Sequence, residues 1–118
     1  MISSVGTDIV EIDKIRQYAS KRFFLDRIFT RNEIKYAESK GIRKAEHLAT
    51  TFAAKEAVFK ALGAGWLEPQ EIEILRDRKG KPLVVLSGKL KEKLSNSKII
   101  ASLSYNKNHA IAFVIINR

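Results

Sequence analysis

The chain has 118 residues and no cysteine, with 45% apolar and 30% charged residues. That composition predicts one globular domain over residues 1–118 and excludes disulfides, thiol chemistry and thiolate-bound zinc. An excess of 22 Lys and Arg over 13 Asp and Glu, a formal charge of +9, predicts an anionic partner without choosing among nucleic acid, acidic protein, phosphorylated cofactor and membrane. Met1-Ile2-Ser3-Ser4 carries no secretory pattern, and the longest apolar run, residues 110–116, is too short to cross a bilayer. The expectation is a cytoplasmic protein with no membrane partner.

Residues 2–12 read as a strand with Val5, Thr7 and Ile9 on one face and Asp8 on the other. Asp13 is the expected N-cap of a helix carrying Ile15, Tyr18 and Ala19, and Phe23, Phe24, Leu25, Ile28 and Phe29 continue an apolar helical segment with a break in it. Lys14, Arg16, Lys21, Arg22, Arg27 and Arg31 concentrate positive charge over this region. Thr30 followed by Glu33 is a capping-box pair, and Gly41 is the expected stop of the short helix it opens. The longest helix starts near Lys44, runs through Leu48, Phe52, Phe59 and Leu62, and ends at Gly63 and Gly65. Strands follow over 71–75 and 83–86 around a turn at 77–81, then a short amphipathic helix over 89–94 and strands over 99–105 and 110–116. No repeat or low-complexity segment interrupts the order.

On the long helix Leu48, Phe52, Phe59 and Leu62 form an apolar stripe, and Lys55 falls inside it. A lysine there either snorkels to water or finds an acidic partner, because a stranded buried charge is costly. Glu56 and Lys60 lie one turn apart on the flank of the stripe, where they can act together. An ordinary surface ion pair is the alternative reading of those two.

The segments 6–12, Gly-Thr-Asp-Ile-Val-Glu-Ile, and 52–63, Phe-Ala-Ala-Lys-Glu-Ala-Val-Phe-Lys-Ala-Leu-Gly, closely resemble the holo-acyl-carrier-protein synthases of the 4′-phosphopantetheinyl transferase superfamily. Arg27 to Arg31 with Glu33, the turn Gly80-Lys81-Pro82, Ser102-Leu103-Ser104 and Ala110-Ile111-Ala112 extend the likeness along the chain. The resemblance implies an α+β fold: a mainly antiparallel sheet packed on a long central helix, with shorter helices near the N-terminus. It also implies transfer of the 4′-phosphopantetheine arm of coenzyme A to a serine of apo-acyl carrier protein, releasing adenosine 3′,5′-bisphosphate.

Residue by residue, the resemblance makes Asp8 and Glu56 the ligands of a magnesium ion, with manganese as a substitute, and adds Lys60 as a catalytic cation near the pyrophosphate. Oxygen-only ligation of this kind suits magnesium. The proton acceptor stays open between a water on the metal and Glu56. Lys44, Lys60, Gly63, Gly80, Lys81 and Pro82 match regions that line the coenzyme A site. Lys14, Lys21, Arg22 and Phe24 match the region that docks the acidic carrier, where charge complementarity speeds encounter.

Two positions depart from the pattern: Tyr105 stands where relatives commonly have histidine, and Thr51 where many have arginine. Short members of the family are homotrimers with active sites between subunits, which agrees with the all-apolar run 110–116 needing a cover. A basic nucleic-acid-binding module is the competing reading of the charge, but no stacking platform, zinc pattern or recognition helix supports it, so no nucleic-acid partner is expected.

Overall fold

The computed structural model describes residues 2–63 and 68–118, without the side chain of Ile2. Strand β1 (Ile2–Glu11) leads into helices α1 (Ile12–Ala19), α2 (Arg22–Ile28) and α3 (Arg31–Glu38). A 3-10 turn over Gly41–Arg43 precedes the long helix α4 (Lys44–Leu62). A second 3-10 turn, Pro69–Glu71, opens the remainder: β2 (Ile72–Arg76), β3 (Pro82–Leu86), α5 (Gly88–Lys93), β4 (Lys98–Tyr105) and β5 (His109–Asn117). The class is α+β, as the sequence predicts.

The strands form two antiparallel sheets rather than one: three strands in the order β1-β5-β4, and the hairpin β2-β3. In the larger sheet the register sets Asp8 opposite Ala112 and Leu103 opposite the same Ala112, with Gly6 opposite Val114. Alternation therefore turns Gly6 and Asp8 toward α4, while Val5, Thr7 and Ile9 point away.

Helix α4 is buried on nearly every side, which the apolar stripe does not convey. Leu48 and Phe59 are covered as expected, but Phe52 and Leu62 are only partly so, and the fully buried positions include Ala49, Ala53, Ala54 and Ala57. The C-terminal half of the helix packs with Ile72, Ile74, Ala112, Val114 and Ile116, and its N-terminal half with Ile12, Ile15, Leu25, Phe29 and Ile34. Small side chains let both layers approach the helix backbone closely. Gly63, in the left-handed conformation at φ 70°, closes the helix with its N–H donating to the Lys60 carbonyl; Gly65 lies outside the described residues.

Two local expectations are corrected. Helix α1 begins at Ile12 with Glu11 at the cap position, and Asp13 makes no cap but pairs with Arg16 inside the first turn. The Ile12 N–H is satisfied instead by the carbonyl of Asn108, 2.9 Å away in the turn between β4 and β5. Helix α3 stops at Glu38, and Gly41 opens the following 3-10 turn rather than ending the helix. The capping box of Thr30 and Glu33 forms in full.

Candidate active site

The seam between β1 and α4 is held open by nothing larger than a hydrogen. A Cβ on Gly6 would stand 2.0 Å from the carbonyl oxygen of Ala57 and 2.9 Å from the nitrogen of Ala61, so the strand touches helix backbone directly. Two residues farther along the same strand face, Asp8 meets Lys60, whose Nζ donates to Oδ1 at 2.8 Å. The aspartate side chain is 6% exposed and the lysine 58%, so the pair lies at the rim of the seam.

Glu56 precedes Lys60 by one helical turn. The Lys60 ammonium is pushed above its ordinary range by its hydrogen bond to Asp8, by the Asp8 charge, and further by Glu56. Lys60 thus stays cationic at neutral pH between two carboxylates. The second Asp8 oxygen, Oδ2, is buried and has no hydrogen-bond partner in the protein. An unsatisfied buried carboxylate oxygen, with the Glu56 charge acting on the same lysine, offers oxygen ligands of the kind that suit a hard cation such as magnesium. Among the described residues no group of three or more acidic or histidine side chains forms a complete metal cage, so remaining ligands would come from substrate and water.

Lys55, the misfit of the apolar stripe, finds an acidic partner. Its Nζ contacts Glu33 Oε1 at 2.7 Å with both side chains 0% exposed, and it also donates to the carbonyls of Ile28 at 2.8 Å and Pro69 at 2.9 Å. Burial raises the Glu33 carboxyl and lowers the Lys55 ammonium from their usual ranges, outweighing their mutual attraction. The sequence makes Glu33 legible as a cap but gives no sign that it also receives Lys55.

The remaining expected contacts are dispersed. Lys44 pairs with Glu38 at 3.8 Å and lines a cavity of about 290 Å³ with Arg16, Ile42 and Leu48. Gly80 and Lys81 sit in the β2–β3 turn and Pro82 opens β3; Asp77 Oδ1 accepts from the N–H groups of Lys79 and Lys81 at 2.8 and 2.9 Å. Lys81 and Pro82 line a cleft of about 500 Å³ with residues of β4, and none of Asp8, Glu56 or Lys60 is on its wall.

Lys14 and Arg22 are exposed and form surface pairs with Glu11 and Asp26, and Lys21 is exposed before α2. Phe24 turns inward, its ring centroid 5.4, 5.9 and 6.1 Å from those of Tyr18, Phe29 and Phe52. Its neighbour Phe23, which the apolar run would have buried, is 81% exposed. Thr51 is buried, and Tyr105 packs against the helical core with its ring edge-on to His47 at 5.9 Å.

A long helix laid on an antiparallel sheet, with a carboxylate–lysine pair at their seam, defines the class as a small α+β domain. The sequence model of the 4′-phosphopantetheinyl transferase superfamily matches residues 4–114, and the chain belongs to that superfamily. It is 46% identical over 122 residues to a holo-[acyl-carrier-protein] synthase of Clostridium kluyveri, covering 98% of this chain and 90% of that one. Among solved structures, the holo-[acyl-carrier-protein] synthase of Neisseria meningitidis superposes with a TM-score of 0.90 at 32% identity over all of both chains. The Bacillus anthracis holo-(acyl-carrier-protein) synthase in complex with CoA (3′,5′-ADP) gives 0.84 at 35% identity, over 99% of this chain and 97% of that one.

Proposed function

We propose that the chain transfers 4′-phosphopantetheine from coenzyme A to a serine of an apo-acyl carrier protein, leaving holo-carrier and adenosine 3′,5′-bisphosphate. The observation that carries this reading is the Asp8–Lys60 contact, with Asp8 Oδ2 left unsatisfied and the Glu56 charge acting on the same lysine. In the reaction the serine oxygen bonds to the phosphorus bearing the pantetheine arm as the bridging oxygen to the nucleotide departs. Asp8 and Glu56 would hold magnesium, or manganese in its place, and the ion would neutralise charge on the pyrophosphate. Lys60 would set a positive charge against the same group, and the proton acceptor would be Glu56 or a water on the metal. Positioning and charge, not a covalent enzyme intermediate, would supply the acceleration.

Lys44, Gly63, Gly80, Lys81 and Pro82 complete the proposed coenzyme A contacts, and their dispersal over separate clefts favours a site assembled from neighbouring copies. The outer face of the three-stranded sheet favours the same view: Val5, Ile9, Ile100, Ile111 and Phe113 are each at least 44% exposed and stand in adjacent registers. We assign this apolar face to a homotrimer interface. Phe113→Asp is expected to convert the assembly to monomers in sedimentation analysis, and a wild-type protein that sediments as a monomer would refute the trimer.

Lys14, Lys21 and Arg22 form the proposed docking surface for an acidic carrier, and the exposed Phe23 is better placed than Phe24 to add an apolar contact. Among the described residues no helix is long and apolar enough to cross a membrane, and the cysteine-free chain suits the reducing cytoplasm, where we place it. The decisive experiment incubates the protein with coenzyme A, magnesium and apo-acyl carrier protein and follows the carrier by mass spectrometry. A phosphopantetheine adduct is expected; no adduct on several carriers, with tight salt-dependent binding to nucleic acid, would replace this reading by the competing one.

A further inference from the structure

Lys55 adjoins Glu56, yet its ammonium is turned away from solvent and its three N–H groups are all engaged, with Glu33, Ile28 and Pro69. Glu33 in turn accepts from the N–H groups of Thr30 at 2.8 Å and Ile74 at 2.7 Å. The pair therefore fastens four backbone groups, drawn from the end of α2, the start of α3, the approach to β2 and β2 itself. Well-packed apolar side chains would avoid the cost of burying two charges. They could not hold those four groups in one arrangement.

The geometry of α4 says what the arrangement fixes. Successive residues turn by about 100°, so Ala57 and Lys55 project on opposite sides of the helix with Glu56 between them. Ala57 is pressed against Gly6 on the sheet side, and Lys55 is pinned on the other. Two opposed anchors stop the helix from rolling about its axis. We propose that Lys55, with Glu33, is a positioning residue for the transfer reaction, fixing the rotation of α4 that sets the Glu56 carboxylate relative to Asp8. This rests on the function proposed above, and on Asp8 and Glu56 acting together on a divalent cation.

The test separates stability from positioning. Lys55→Met alone leaves Glu33 charged and buried, whereas Glu33→Gln with Lys55→Met removes both charges. Each protein is measured for thermal unfolding, for Mn²⁺ affinity by electron paramagnetic resonance without coenzyme A or carrier, and for steady-state transfer. The double variant is expected to melt within about five degrees of wild type. It is nonetheless expected to bind Mn²⁺ at least about tenfold more weakly, with kcat about a hundredfold lower and the KM for carrier within about threefold. A second pair, Glu33→Leu with Lys55→Leu, supplies the same comparison with an apolar filling, and whichever pair folds serves as the test protein. Wild-type Mn²⁺ affinity and kcat in a folded pair would overturn the positioning role alone. A wild-type protein that binds no Mn²⁺ would overturn the metal reading of Asp8 and Glu56, and this inference with it.

Discussion

Two lysines on one helix meet carboxylates at nearly equal distance, Lys55 with Glu33 at 2.7 Å and Lys60 with Asp8 at 2.8 Å, and the surroundings send them in opposite directions. At the buried pair desolvation dominates and both groups are driven toward neutrality. At the rim the hydrogen bond and charge of Asp8 dominate and Lys60 is held more firmly cationic. Distance alone does not tell how an ion pair titrates; access to water does.

The contrast is broken most severely at the buried pair. Lys55→Met should cost about 3–5 kcal/mol in urea unfolding, because Glu33 is left charged without a partner, whereas Lys60→Met should cost less, because the lysine itself reaches water and its buried partner Asp8 lies at the rim of the seam. Equal losses would erase the distinction. Next comes Asp8→Asn, which should lower transfer by at least about a hundredfold while the melting temperature holds; unchanged turnover would remove Asp8 from the mechanism. Lys60→Met should lower kcat by about tenfold or more with little change in stability, read in the same assay.

His47 gives the smallest and sharpest check on the role of burial. Desolvation first, then the nearby Arg76 and Lys40 charges, lower its pKa below the usual 6.5. The unfolded chain then binds more protons below that pH, so folding stability is lost as pH falls below 6.5 toward the folded-state value. Thermal melts from neutral to mildly acidic pH should decline less steeply for His47→Phe than for wild type. Parallel slopes would show that His47 carries none of the acid sensitivity.

The element order and the two long motifs were legible because period and capping are local: Thr30 and Glu33 announce a helix start three residues apart. What crosses the fold was not. Glu33 as the partner of Lys55 depends on how α3 lies against α4, and the replacement of an Asp13 cap by the Asn108 carbonyl depends on the β4–β5 turn. The outward turn of Phe23 and inward turn of Phe24 follow from where α2 breaks from α1, which hydrophobicity alone leaves undecided. Alanines carried little signal in the stripe, yet Ala53, Ala54 and Ala57 let α4 sit in the core.

Strand β1 divides its labour by parity. Even positions 6 and 8 serve the helix contact and the acid, while odd positions 5, 7 and 9 look outward. Because Gly6 sets the spacing through main chain alone, rotamer changes cannot retune it. Redesign of the proposed interface on the odd positions and of the proposed site on the even ones can therefore proceed as separate exercises, ten residues of one strand serving as two independent dials.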